Sequence, residues 1–96
     1  MNLVPGITRL TADGAVGTSG NPIRIFNINL VSGSTASTTS FNNGTAAGDD
    51  AYLQVDGVAS KCVSLSFAGG MRFPDGCFMN TDANISYCTI TYTEEH

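Results

Sequence analysis

The chain is predicted to fold as an all-β domain. Three observations carry this reading: apolar residues alternate with polar ones at period 2, turn residues recur roughly every ten positions, and no apolar pattern of helical period occurs. The architecture they imply is a small antiparallel β-sandwich or jelly-roll-like barrel of about seven or eight strands, with an extended N-terminal segment. At 96 residues this is one domain. Such a chain buries only about 60% of its unfolded surface, enough for one modest core between two sheets.

Residues 1–22, MNLVPGITRLTADGAVGTSGNP, hold two of the three prolines and only isolated apolar residues. They read as an extended N-terminal arm or an edge strand, separate from a sandwich domain over 23–96. Within them Leu3-Val4 suits a short strand ended by a turn at Pro5-Gly6, and Ile7–Thr11 suits another ended at Asp13-Gly14. Removal of this segment is expected to leave a folded domain.

From Ile23 the pattern is more regular. Phe26, Ile28 and Leu30 alternate with Asn27 and Asn29, the mark of a half-buried strand whose amides face water. Ser32-Gly33-Ser34 is a turn, and Thr35–Phe41 a strand of small residues. Asn42-Asn43-Gly44 then turns the chain, because both Asn and Gly tolerate positive φ. Residues 45–50 form a loop. Ala51, Leu53 and Val55 face inward while Tyr52, Gln54 and Asp56 face outward, up to the turn at Asp56-Gly57.

The tract from Gly57 to Glu95 continues this grammar. Val63, Leu65 and Phe67 share one face, Cys62, Ser64 and Ser66 the other. Turns are expected at Ala68-Gly69-Gly70 and Pro74-Asp75-Gly76, where Pro74 fixes φ. A last strand over 86–93 sets Cys88, Ile90 and Tyr92 inward. The expected core is Phe26, Ile28, Leu30, Leu53, Val55, Val63, Leu65, Phe67, Phe78, Ile90 and Tyr92.

Charged residues make up only 12% of the chain, whereas Ser, Thr, Asn and Gly together supply 39 of its 96 residues. The surface is therefore wet but weakly charged. It suits dense packing against copies of itself or of a partner, and equally an ordinary turn-rich β-protein. The net charge of −4 and four scattered cations, Arg9, Arg24, Lys61 and Arg72, argue against nucleic acid and against an acidic membrane surface. The start of the chain lacks the basic and apolar regions of a secretory signal, and no run approaches the ~18 apolar residues of a membrane span. A protein kept inside a cell, or inside a particle assembled there, is expected. Cys62, Cys77 and Cys88 fit neither a disulfide framework nor a zinc motif. They read as reduced small hydrophobes, with one cross-strand disulfide or a thiol at a subunit contact as the alternative.

No catalytic, cofactor-binding or metal-binding set is expected. The acids fall mainly in turns, as in Asp13-Gly14, Asp56-Gly57 and Asp75-Gly76. Asp49-Asp50 is the best of poor calcium candidates, since no acidic loop of the calcium-binding type is present. His96, the one histidine, is the last residue, where nothing in the sequence positions it as a base. The Asn43 and Asn84 sequons are expected from chance in an Asn- and Thr-rich chain. Tyr52, Tyr87 and Tyr92 are the available sugar-stacking rings. The residues expected to touch a partner are Leu3, Val4, Ile7, Arg9 and Leu10 in the N-terminal segment, and Arg72. The last of these suits an acid in this chain or on a neighbour, or solvent.

The elements Asn43-Gly44-Thr45, Gly70-Met71-Arg72-Phe73-Pro74-Asp75-Gly76-Cys77-Phe78, Asp82-Ala83-Asn84-Ile85-Ser86 and 89–95 resemble short structural proteins of tailed-bacteriophage virions. The resemblance spans residues 23–95 and leaves the first 22 outside it. It implies a non-enzymatic virion protein, foremost a capsid decoration or cement protein that binds the major capsid protein, or another virion protein, and makes homo-oligomeric contacts on the particle. The alternative it implies is a tail- or fibre-associated domain that recognises a virion partner or a host-surface glycan.

Overall fold

The computed structural model describes residues 3–96. Among these there is no helix, and eight strands follow one another: β1 (Leu3–Leu10), β2 (Gly14–Val16), β3 (Ile23–Ser32), β4 (Ser37–Asn43), β5 (Ala51–Gly57), β6 (Cys62–Phe73), β7 (Cys77–Thr81) and β8 (Ile85–Glu95). They form two four-stranded antiparallel sheets, β1-β8-β3-β6 and β2-β7-β4-β5. The order is that of one long hairpin wound on itself. β4 pairs with β5, β3 with β6, β2 with β7 and β1 with β8, and the pairs β3–β8 and β4–β7 join these ribbons into sheets. This winding is a jelly roll.

The inner faces bury Val16, Ile23, Ile25, Ile28, Leu30, Phe41, Val55, Phe73, Cys77, Met79, Ile85, Cys88 and Ile90. Leu10, Leu53, Val63, Leu65, Phe67, Met71 and Tyr92 pack against them half-buried. Residues 3–16 are thus built into both sheets. β1 pairs along β8 from Cys88 to Glu95, and Val16 on β2 is wholly enclosed. A cut at residue 22 removes a strand from each sheet, so the expectation that the remainder stands alone loses its basis.

Two residues expected in the core lie on outer faces. Alternation assigned Phe26 inward with Ile28, but the pairing of β3 with both neighbours shifts between Ile25 and Asn27. One extra residue at this bulge reverses the parity, so that Ile25 and Ile28 both point inward and Phe26 points out. Phe78 sits between buried Cys77 and Met79 and is half-buried on the outer side of its sheet, opposite Asn42 and Ala15. Tyr52 is exposed, as expected; it falls at a bulge of β5 against β4, and its ring also stacks on Phe73 at the rim of the core, with ring centroids 5.6 Å apart.

Two expected turns do not reverse the chain. β1 passes straight through Pro5-Gly6 with unbroken register against β8. At Ala68-Gly69-Gly70 the chain bulges out and resumes the same strand. Ser66 lies opposite Asn27 and Met71 opposite Ile25, so residues 67–70 loop out beside Phe26. Gly69 and Gly70 hold φ near 78° and 83° there, and a Cβ on Gly70 would collide with the stem of Arg24.

The connections between strands are held by acids. Asp13 Oδ1 accepts from the Thr81 amide at 2.7 Å, tying the β1–β2 crossing to the end of β7. Asp49 Oδ2 accepts from the Thr45 and Ala46 amides and closes the β4–β5 loop. Asp75 and Asn43 exchange two hydrogen bonds, with Asn43 Nδ2 donating at 3.0 Å and the Asp75 amide at 2.9 Å. Asp82 accepts from the Thr38 and Asn84 amides, both at 3.0 Å. A short acid beside a backbone N–H competes well with water, which is why such residues gather at turns.

Candidate interaction surface

The exposed apolar residues concentrate on β1, which forms one edge of the first sheet. Leu3 is 59% exposed, Val4 46% and Ile7 74%. Parity explains the arrangement. The cross-strand partners of Val4, Gly6, Thr8 and Leu10 are Glu94, Tyr92, Ile90 and Cys88, the inward residues of β8. Leu3, Pro5, Ile7 and Arg9 therefore point to the outer face. Leu10 packs against the core and presents little to a partner. Arg9 lies over the ring of Tyr87, its Cζ 4.0 Å from the ring centroid, a cation–π contact on the outer face.

Arg72 is far from these residues in the sheet, on the opposite edge strand β6. Its guanidinium takes Glu95 on β8, with Nε donating to Oε2 at 2.9 Å and Nη2 to Oε1 at 3.2 Å. Of the three fates open to it in the sequence, an acid in this chain, an acid on a neighbour or solvent, the first is the one realised. The structure thus separates the six expected contact residues into an apolar edge (Leu3, Val4, Ile7), a stacked cation (Arg9), a core-facing residue (Leu10) and an ion-paired cation (Arg72).

Between the two edges the outer face of the first sheet is a grid of small polar side chains. Asn27 lies between Ser66 and Thr91, and Asn29 between Ser64 and Thr89. Asn27 Nδ2 donates to Ser66 Oγ at 2.8 Å, Asn29 Nδ2 to Asn27 Oδ1 at 2.7 Å, and Ser64 Oγ to Asn29 Oδ1 at 2.6 Å. The amides are thus oriented by one another before any partner arrives. The signal for this grid was present in the alternations Asn27-Ile28-Asn29, Ser64-Leu65-Ser66 and Thr89-Ile90-Thr91. Its assembly into one surface depends on the pairing of β6, β3 and β8.

The C-terminus carries an arrangement the sequence did not announce. Glu94 is buried, and its carboxylate accepts from the Thr18 amide at 2.5 Å and from Asn21 Nδ2 at 3.2 Å. Nε2 of His96 contacts Glu94 Oε2. Burial works to raise the Glu94 pKa, but the Thr18 and Asn21 hydrogen bonds and the nearby His96 together hold it below the usual carboxylate range. This clasp ties the β2–β3 connection to β8.

Among the described residues no group of three or more His, Cys, Asp or Glu is placed to hold a metal ion. An open depression of about 500 Å³ is lined by Thr11, Ala12, Asp13, Thr81, Asp82 and Ala83. Its two acids are the ones already accepting backbone hydrogen bonds at the chain crossings. All three cysteines are free thiols, with Cys62 exposed and Cys77 and Cys88 buried. No protein-family model, curated protein or solved structure matches the chain.

Proposed function

We propose that this protein is a non-enzymatic virion structural protein, a capsid decoration or cement protein that binds the major capsid protein and stabilises the assembled shell. The observation that carries the reading is the uncharged Asn/Ser/Thr grid on the first sheet, whose amides are already ordered by mutual hydrogen bonds. Such a face meets another protein surface over a broad area without stranding a buried charge, and little side-chain freedom is left to lose on contact. Two further points support it. The tract from Gly70 to Glu95 resembles short phage structural proteins, and jelly rolls recur in viral shells, although they also serve lectins and cupins. Attachment to the assembled shell alone stabilises that shell in proportion to occupancy.

The test is quantitative mass spectrometry and cryo-electron microscopy of particles purified from the source that encodes the chain. A copy number comparable with that of the major capsid protein is expected, with density on the shell. A handful of copies at the tail would replace this reading with that of a tail-associated domain, and absence from the particle would overturn it. Asn29→Arg, which places a charge in the centre of the grid, is expected to leave a folded protein that no longer decorates shells.

A further inference from the structure

Each sheet of a jelly roll has two free edges, and here they are unequal. β2 has three residues, β5 is bulged against β4, and β6 is broken by the looped-out residues 67–70. β1 is different: eight residues in unbroken register with β8. Irregularity and shortness protect an edge from pairing with another strand, and β1 has neither.

The groups that β1 leaves unpaired can be identified. The Glu95 amide donates to Pro22 O on the β3 side, so the backbone of Glu95 faces away from β1. By alternation, Glu94, Tyr92, Ile90 and Cys88 face β1 and bond to Val4, Gly6, Thr8 and Leu10. The backbone N–H and C=O groups of Leu3, Ile7 and Arg9, with the carbonyl of Pro5, therefore point outward. Pro5 sits where its missing N–H breaks no bond to β8.

We infer that β1 pairs antiparallel with β1 of a second copy, about a two-fold axis at Gly6, to make a continuous eight-stranded sheet. In this register Leu3 faces Arg9 of the other copy and Pro5 faces Ile7. Each Leu3–Arg9 pair exchanges two hydrogen bonds and each Pro5–Ile7 pair one, about six in all, against about four when the register slips by two residues either way. Charge favours the same arrangement. Leu3 and Val4 lie beside Glu95 and Glu94, whereas Arg9 lies at the other end of the strand. Antiparallel pairing brings each cation toward the acidic end of its partner; parallel pairing sets like beside like. The contact also covers the exposed side chains Leu3, Val4 and Ile7. It is an edge contact, smaller than the ~1,200 Å² of stable interfaces, so association in free solution is weak and strengthens where copies are concentrated.

This inference goes beyond the virion reading and is tested without particles. Sedimentation velocity of the purified chain from micromolar to millimolar concentration is expected to show reversible dimerisation, abolished by Ile7→Lys, which places two new charges at the axis. A chain that stays monomeric across this range, or an Ile7→Lys variant that dimerises equally, overturns the inference. Disulfide trapping checks the register in a Cys62→Ser background. Val4 of one copy falls opposite Thr8 of the other, so the double variant Val4→Cys/Thr8→Cys is expected to oxidise to a covalent dimer. The single variants Val4→Cys and Thr8→Cys are expected to remain largely monomeric. Equal trapping in the single variants would overturn the register, and no trapping in the double variant would overturn the pairing.

Discussion

Arg72 on β6 and Glu95 on β8 are joined across the intervening strand β3 by two hydrogen bonds of 2.9 and 3.2 Å. The pair answers a local conflict. Arg72 lies directly opposite Arg24 in the ladder, and like charges in that position repel. Arg24 turns its Nη1 to the carbonyl of Gly69 at 3.1 Å, while Glu95 neutralises Arg72 from the far side. Charge reversal at Arg72 removes both hydrogen bonds to Glu95 and sets a like charge against it, while Arg24, already turned to the Gly69 carbonyl, gains only an exposed opposite charge. Arg72→Glu is therefore expected to lower the thermal midpoint more than Arg72→Gln, with the difference shrinking at high salt.

The two terminal glutamates predict how stability follows pH. The Arg72 hydrogen bond holds the Glu95 carboxyl below the usual carboxylate range. Glu94 is held low by Thr18, Asn21 and His96 against the opposing effect of burial. A carboxyl whose folded pKa is depressed contributes fully above its unfolded pKa, about 4–5, and the contribution is lost as pH falls through the folded value. Urea midpoints at pH 7 and pH 3 are expected to differ less in Glu94→Gln/Glu95→Gln than in the unaltered chain. Equal differences would mean that the clasp lends nothing.

Gly6 and Tyr92 form a cross-strand pair in which the ring occupies the space a side chain would need. A Cβ on Gly6 would lie 2.6 Å from Tyr92 Cζ. Gly6→Ala is expected to destabilise by about 1–3 kcal/mol, as overpacking does. Adding Tyr92→Leu, which clears the site, is expected to make the Gly6→Ala step nearly neutral in a double-mutant cycle measured by urea denaturation.

The bulge in β3 gives a sharp pair of substitutions. Ile25→Ala removes a fully buried side chain and is expected to cost about 2–5 kcal/mol. Phe26→Ala removes a larger ring from the outer face and is expected to cost less. If Phe26→Ala proved the more costly in chemical denaturation, the parity shift would be refuted.

Burial pushes the thiol of Cys77 up to about 12, and burial with the nearby Cys62 does the same for Cys88. A thiol-selective reagent at pH 8 is expected to label Cys62 alone in the folded protein and all three in denaturant, counted by intact mass.

The sequence by itself determined the class of fold, because period-2 alternation and turn residues are local properties. Ile28, Leu30, Val55 and Ile90 were legible as core for that reason. So was the role of the acids, since Asp49 and Asp82 close their own turns. Tertiary structure decided what depends on partners distant in the chain. Pro5-Gly6 and Ala68-Gly69-Gly70 have the composition of turns, yet β8 holds the first within a straight strand and β3 pairs with β6 on both sides of the second, so neither reverses the chain. Phe26 was placed inward because a bulge leaves no mark in alternation until two flanking strands impose it. Arg72 met Glu95, and Glu94 met Thr18 and Asn21, only because the wound hairpin brings the chain's last strand beside its first and third. Ladder hydrogen bonds and side-chain burial are satisfied by whichever strand lies alongside, so register and pairing overrule local preference wherever the two disagree.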